Sequence, residues 1–183
     1  MTRMEADAGL LHRLAAGNYA AFAEHFTRQS AESGRDGQPL FMPFDVPPDY
    51  HAPDRRARVI SRWETPVGQP NWLVNWAIFD GARIVAHIDL DGAQIASQQH
   101  RATLGIGVEQ AYQRRGYGTR LMDVAISFAQ AEALAWLDLY VFAHNTRAIA
   151  LYRKFGFVET GRRADCFRVQ GTSVEDVWMS LRL

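Results

Sequence analysis

The feature that most constrains this chain is a strand that runs through a basic, glycine-containing turn into a helix, at residues 104–121 (LGIGVEQAYQRRGYGTRL). The apolar residues of its first part suit a strand, and from Tyr117 the apolar residues recur at helical spacing. The first N–H groups of a helix have no partner within the helix and lie at the positive end of its dipole. This order of elements therefore predicts an anion site, suited to a diphosphate.

The residues of the turn strengthen this prediction. Gly116 and Gly118 lack the side chains that would keep a diphosphate from the backbone. Arg114, Arg115 and Arg120 add positive charge, and the planar arginine fork suits phosphate. A P-loop would need Gly-Lys-Ser or Gly-Lys-Thr, and a dinucleotide fingerprint would need a small residue where this chain has leucine. A helix start with glycines for packing is the alternative interpretation.

A second informative stretch follows at residues 144–157 (HNTRAIALYRKFGF). Asn145 stands where a strand ends and a helix begins, which is a favourable N-cap position. Tyr152 is seven residues further on, about two turns along the same helix face. The two side chains can therefore line one groove, although a capping asparagine and a core tyrosine would give the same pattern.

Apolar spacing and turn residues predict the remaining elements, and together they indicate one domain over residues 1–183 with a mixed α/β sheet flanked by helices. Helices are predicted at 8–33, 53–64, 117–133 and 146–155, and strands at 72–79, 82–90, 101–108, 137–142, 157–169 and 174–181. The strands are separated by turns at Asp80-Gly81, Asp91-Gly92 and Gly171-Thr172. Residues 34–52 form a long proline-rich loop, which is either a binding loop or a segment packed on the core by its aromatic residues.

Composition excludes several classes of function. The 183 residues contain 20 Lys plus Arg and 20 Asp plus Glu, so no net field attracts nucleic acid or an anionic membrane. The single cysteine, Cys166, forms no internal disulfide, and we expect it to pack rather than to react. The six histidines lack the spacing of a metal-binding helix, so we expect no metal. With no stretch long enough to span a membrane, a cytoplasmic protein is expected.

On both stretches the chain resembles the GNAT superfamily of acetyl-coenzyme A-dependent N-acetyltransferases. The family pattern of Gln or Arg, two residues, Gly, one residue, and Gly or Ala is matched by Gln113, Gly116 and Gly118. A later pattern is matched in order by Asn145, Ala148, Tyr152, Gly156 and Phe157. The resemblance covers residues 72–183, the expected cofactor-binding core at 71–183, whereas residues 1–70 correspond to a variable helical region on the acceptor side.

The resemblance implies a mostly antiparallel, splayed sheet in which two core strands part and leave a cleft for acetyl-coenzyme A. Gly105 and Gly107 suit a bulged, open-edged strand at that point. The implied cofactor-binding residues are Ile106, Gly107, Val108, Gln113, Arg114, Arg115, Gly116, Tyr117, Gly118, Thr119, Asn145, Ala148 and Tyr152. Tyr152 is also expected to be catalytic, as the general acid that protonates the departing thiolate, with a backbone N–H as a small oxyanion hole.

The general base is left open by the sequence. Glu109, just past the bulged strand, is the first choice, followed by Asp89 and His87 on the neighbouring strand, His144, or a water molecule. The acceptor is expected to be a primary amine of a small molecule or a protein, and Asp45, Asp49, Asp89 and Asp91 are weak candidates for receiving it.

The sequence leaves two alternatives to acetyl transfer. One is an acyl-coenzyme A-binding sensor or partner module without turnover, and the other, ranked last, is nucleic-acid binding. The apolar strand at residues 177–181 is also a candidate for pairing across a homodimer.

Overall fold

The computed structural model describes residues 9–183, and within them one seven-stranded sheet carries four α-helices. The strands are β1 (Leu10–Arg13), β2 (Leu73–Asp80), β3 (Arg83–Gly92), β4 (Arg101–Val108), β5 (Trp136–Phe142), β6 (Val158–Val169) and β7 (Thr172–Arg182). The helices are α1 (Tyr19–Glu32), α2 (Pro53–Glu64), α3 (Tyr117–Ala131) and α4 (Thr146–Lys154). The mixed α/β fold class is confirmed.

The strand order is β1-β2-β3-β4-β5-β7-β6, and every neighbouring pair is antiparallel except β4 and β5. The sheet is therefore mostly antiparallel, as expected. β7 lies between β5 and β6, so both of its edges are already paired. The idea that this strand pairs across a homodimer is wrong, because it has no free edge to offer.

The parallel pair β4–β5 is short. Its register covers Arg101–Thr103 against Trp136–Asp138, and beyond these residues the two strands separate. The predicted splay is thus present, but the predicted bulge in β4 is not. β4 pairs with β3 without a register shift from Ala86↔Val108 to Gly92↔Ala102. Gly105 and Gly107 serve a different purpose, which is described with the site.

Helices cover both faces of the sheet and each face has its own core. α3 packs Leu121, Met122 and Ala125, all fully buried, into the larger cluster with strand residues such as Ile88. On the other face, α1 places Phe22 in a smaller cluster with residues of α2 and β2. Because the sheet is covered by helices on both faces, β3 and β4 lie in the middle of the domain, where the site is found.

Three sequence predictions of local structure need correction. The predicted helix at 8–33 begins at Tyr19, because residues 10–13 pair with β2 at the sheet edge and Gly17 disfavours a continuous helix; its first residue, Ala8, lies outside the described residues. Asp91 and Gly92 are paired within β3, so the connection to β4 is a longer loop at 93–100. The last hairpin turns at Gln170-Gly171, where both residues have positive φ, one residue earlier than predicted.

Candidate active site

The site is a cleft of about 770 Å³ that opens where β4 and β5 part. Its walls come from α1 and the segment that follows it, from β3, β4 and β5, from the start of α3, from α4, and from β6 and β7. The anion turn and the α4 residues thus open on the same cavity, as the sequence predicted.

The predicted anion turn leads into a helix N-terminus that borders the cleft. Gly116 adopts φ 81°, a left-handed conformation that favours glycine, and α3 starts at the next residue. Residues lining the cleft here are Arg114, Gly116, Tyr117, Gly118 and Thr119. The start of α3 therefore borders the cleft, and the N–H groups at a helix start are suited to an anion.

Two predicted arginines point elsewhere. The Arg115 guanidinium stacks on Tyr112 and donates to the carbonyl of Ala111 at 3.1 Å. Arg120 donates to the carbonyl of Gly9 at 3.0 Å and so fastens α3 to the residue before β1. Of these three arginines, Arg114 is the one that lines the cleft.

Gln113 connects the turn to its surroundings. Its amide nitrogen donates to the carbonyl of Val108 and to the Gln38 side chain, both at 3.1 Å. Its amide oxygen accepts a 2.7 Å hydrogen bond from Arg147. Gln113 therefore holds β4, the loop after α1 and the start of α4 around the cleft, while Gln38 and Arg147 are lining residues that the sequence patterns did not single out.

Asn145 and Tyr152 both border the cleft, so the groove that the sequence predicted for these two residues is present. Asn145 caps the helix, since its side-chain oxygen accepts a 3.3 Å hydrogen bond from the N–H of Ala148. Tyr152 lines the cleft two turns later and is buried, with 7% of its surface exposed. Burial, together with the nearby Asp89 carboxyl, raises the pKa of Tyr152 above its ordinary value of 10. The phenol is thus a neutral proton donor at physiological pH.

The glycines of β4 make room for polar side chains from neighbouring elements. A Cβ at Gly105 would lie 2.9 Å from the Asp89 carboxyl oxygens, and one at Gly107 would lie 1.7 Å from the Gln29 amide nitrogen. Ile106 and Val108 line the cleft beside them. Absence of these two side chains lets Asp89 and Gln29 reach the cleft wall.

Asp89 is the carboxylate best placed for proton transfer. It lies on β3, lines the cleft and keeps 22% of its side chain exposed. Burial, with a smaller contribution from Asp91, raises the pKa of Asp89 to about 7. A carboxyl that titrates near neutral pH is a well-matched general base.

Glu109, the first choice from the sequence, is buried outside the cleft lining. Its carboxylate accepts hydrogen bonds from His25, Arg28 and Arg83. Although burial alone would raise the pKa of Glu109, these donors lower it to about 2. Such a carboxylate holds a proton poorly, so the geometry does not favour Glu109 as the base.

The loop after α1 forms one wall of the cleft and is also packed, so both sequence interpretations apply to it. Phe41, Met42 and Pro43 line the cavity. The hydroxyl of Ser33 accepts hydrogen bonds from the N–H groups of Phe41 and Met42 at 2.9 and 3.0 Å. On the opposite wall, His144 Nε2 donates to the carbonyl of Leu40 at 2.8 Å.

Of the four aspartates considered for the acceptor, Asp89 lines the cleft. Asp45 accepts a hydrogen bond from the N–H of Gln170, Asp49 one from the N–H of His51, and Asp91 is paired with Arg62. Besides Gln38 and Arg147, other cleft residues that no sequence pattern indicated include Phe26, Gln29, Phe167 and Asp176. They lie on elements far apart in the sequence, so no local motif could have revealed them.

Cys166 lies partly buried in β6, a position that suits packing. Across residues 9–183, no three His, Cys, Asp or Glu side chains cluster closely enough to hold a metal ion. No helix in the same range is both long and apolar enough to cross a membrane.

The start of α3 and the buried phenol of Tyr152 thus border one cleft, which lies between two parting strands. The chain belongs to the acetyltransferase (GNAT) family, whose sequence profile matches residues 39–157. The resemblance stated from the sequence motifs is confirmed.

Known proteins agree with this assignment. N-alpha-acetyltransferase RimI of Mycobacterium tuberculosis is 42% identical over 66 residues, which are 36% of this chain and 40% of the relative. This chain spans half or less of the length of the first curated relatives it matches.

Solved structures share the fold over nearly the whole chain. A GNAT-family acetyltransferase from Streptococcus pneumoniae has a TM-score of 0.78 at 19% identity, covering 95% of this chain and 99% of its own. A phosphinothricin acetyltransferase from Sinorhizobium meliloti, solved in complex with acetyl-coenzyme A, has a TM-score of 0.77 at 14% identity, covering 96% and 89%.

Proposed function

We propose that the protein transfers an acetyl group from acetyl-coenzyme A to a primary amine. The observation that carries this proposal is the arrangement around one cleft of a helix N-terminus for a diphosphate, a buried phenol and a carboxyl with a pKa of about 7. Family membership supports the same reaction.

The residues of the cleft fit acetyl-coenzyme A along its length. The diphosphate would be held by N–H groups of residues 116–119 and by the Arg114 guanidinium. The arm would run along β4 past Ile106, Gly107 and Val108, where the strand has left its β5 partner and its backbone groups can bind a ligand. Bound there, acetyl-coenzyme A supplies an activated acetyl thioester and a thiolate leaving group.

The chain's own residues handle the two proton transfers. Asp89 takes a proton from the acceptor ammonium, which frees the nitrogen lone pair for direct attack on the acetyl carbonyl. Tyr152, a neutral phenol in the same cleft, donates a proton to the departing sulfur. Because the pKa of Asp89 is about 7 and the pKa of Tyr152 lies above 10, Asp89 can be ionised as a base while Tyr152 stays protonated as an acid at the same pH.

The acceptor side of the cleft favours an amine that carries an apolar body. Phe41, Phe142 and Phe167 supply aromatic surface there, and Asp89 and Asp176 supply carboxyls toward a cationic nitrogen. The name of the relative N-alpha-acetyltransferase RimI indicates an α-amine, so peptides that begin with an apolar residue belong in the acceptor panel beside small arylalkylamines.

Calorimetric titration with acetyl-coenzyme A, followed by thiol release against that panel, tests the proposal. Binding together with amine-dependent thiol release is expected. Binding without release from any member of the panel would favour the sensor alternative over an enzyme. If acetyl-coenzyme A does not bind at all, the proposal is overturned.

A further inference from the structure

A buried chain of hydrogen bonds leads from Glu109 to the cleft. Glu109 Oε1 lies 2.8 Å from His25 Nδ1, and His25 Nε2 lies 2.8 Å from His87 Nδ1. His87 Nε2 faces Oδ1 of Asp89 at 3.7 Å. His25 is fully buried and His87 is nearly fully buried. His87 lines the cleft, whereas His25 lies behind it.

The direction of these hydrogen bonds follows from the charge at the far end. Two arginines, Arg28 and Arg83, hold Glu109 as a carboxylate, which can only accept hydrogen bonds. His25 Nδ1 must therefore donate to it. Burial lowers the pKa of His25, so this imidazole is neutral and its Nε2 has no hydrogen.

The same reasoning fixes the second histidine. With an unprotonated His25 Nε2 opposite, His87 Nδ1 must carry the hydrogen and donate. Burial, and the neighbouring His25, lower the pKa of His87 well below its ordinary value, so this ring is neutral too. His87 Nε2 is consequently an acceptor, and it faces the carboxyl proposed above as the base.

We propose that Glu109, His25 and His87 form a positioning chain that presents an unprotonated nitrogen to Asp89 and so controls when this carboxyl holds a proton. The proposal rests on the function proposed above. A protonated Asp89 can donate to His87 Nε2 as the two groups close from 3.7 Å, whereas an ionised Asp89 meets only a lone pair. Hydrogen bonding of this kind favours the neutral acid.

These hydrogen bonds thus support transfer of a proton from the acceptor ammonium to Asp89, beside His87 Nε2. The N–H bond of the acceptor ammonium breaks, its electron pair stays on nitrogen, and the proton forms an O–H bond on Asp89 that is then directed at His87 Nε2. The other charged groups near this point are Asp91 and Arg62, which act on Asp89 from β3 and α2, while Tyr152 approaches from α4. Glu109 and His25 act through His87 and touch no substrate.

Nuclear magnetic resonance on the protein without substrates tests the Glu109–His25–His87 positioning chain independently of turnover. Nitrogen-15 shifts of labelled histidine distinguish the ring tautomers, and the carboxyl carbon-13 shift of Asp89, assigned with Asp89→Asn, reports its titration. We expect His25 and His87 to be neutral with hydrogen on Nδ1 at pH 7. A hydrogen on His87 Nε2, or a charged His87, would overturn the proposal.

A variant remote from Asp89 tests positioning. His25→Phe keeps an aromatic ring against Phe26 and His87 but removes both hydrogen bonds, so His87 can place its hydrogen on Nε2 and donate to ionised Asp89. The Asp89 proton affinity should fall roughly tenfold, a shift of about one pH unit in its midpoint. His100→Phe, at an exposed histidine, should leave the midpoint in place.

An unmoved midpoint in folded His25→Phe would contradict the positioning role. If that variant does not fold, the tautomers of the unmodified protein still decide the question. If no amine in the panel releases thiol, the resonance measurements still report on the Glu109–His25–His87 hydrogen bonds. A failure of this proposal can therefore be distinguished from a failure of the proposed function.

Discussion

At the scale of single residues, Tyr152 and Asp89 bring opposite proton chemistry to one cleft. Tyr152→Phe removes the acid but keeps the ring that packs beside Phe157. Turnover should therefore fall by about 10² to 10⁴-fold, while calorimetric affinity for coenzyme A changes little. Turnover equal to that of the unmodified protein would remove Tyr152 from the acid role.

Asp89 connects activity and stability to pH. Its pKa of about 7 exceeds the ordinary 3.8, so the folded state binds more protons between these values, and ionising this group destabilises the fold as pH rises from 4 to 7. Asp89→Asn removes this pH-dependent destabilisation. The free energy of unfolding of the variant, relative to that of the unmodified protein, should therefore rise by up to about 4 kcal/mol between pH 4 and pH 7.

Urea unfolding at several pH values measures this effect, and Asp123→Asn, at an exposed carboxylate of α3, is the control. A pH-independent difference between Asp89→Asn and the unmodified protein would argue against the raised pKa. Because the base must be ionised, turnover of the unmodified protein should decline as pH falls through about 7, and Asp89→Asn should lose most of its turnover at every pH.

Residues with a local pattern around them were predictable, and those placed by tertiary packing were not. Asn145 and Tyr152 were found because an N-cap and a same-face tyrosine follow helix geometry. The sequence put Glu109 before Asp89 as base, since nothing local reveals that Arg28, from α1, reaches it. Gln29 was missed for the same reason.

At the scale of elements, Ser33 controls one wall of the cleft through the loop after α1. Ser33→Ala removes the acceptor for the N–H groups of Phe41 and Met42, at a cost of about 1 kcal/mol to local order. Hydrogen exchange at these two amides should accelerate several-fold. Thr27→Ala removes a hydroxyl that bonds within α1 and should leave them unchanged; equal exchange in the two variants would contradict the role of Ser33.

Elements with a strong apolar periodicity were predicted closely. Both ends of α2 and both ends of β4 were predicted correctly. The error at residues 8–33 arose because Leu11 and Leu14 suit either a helix or a strand, and pairing with β2 decides between them. The Asp91-Gly92 turn failed similarly: Gly92 stays in β3, where a Cβ would collide with the Trp72 ring, a close approach that only the folded sheet specifies.

At the scale of the whole molecule, the separation of β4 and β5 depends on their being tied at one end. Asp138 accepts two hydrogen bonds from Arg101, at 2.5 and 2.7 Å, and one from Ser180 at 2.6 Å, and so joins β4, β5 and β7. Asp138→Ala should lower the free energy of unfolding by about 1 to 3 kcal/mol. Urea denaturation measures this loss.

The matched control is Arg168→Ala, which breaks an exposed pair with Asp165 inside β6. An exposed pair of this kind contributes about 0 to 1 kcal/mol, so the control should unfold close to the unmodified protein. Equal losses in the two variants would show that the Arg101–Asp138 pair has no special part in holding the sheet together.

The insertion of β7 between β5 and β6 has a consequence for protein synthesis. A ribosome makes β5, which ends at Phe142, well before β7 begins at Thr172, whereas β6 is joined to β7 by the turn at residues 170–171. The pairing of β5 with β7 must therefore wait for residues 172–182. Non-local pairing of this kind is slow, and unpaired strand edges are prone to aggregate. The edge of β5 that pairs with β7 therefore stays unpaired until residues 172–182 have left the ribosomal exit tunnel.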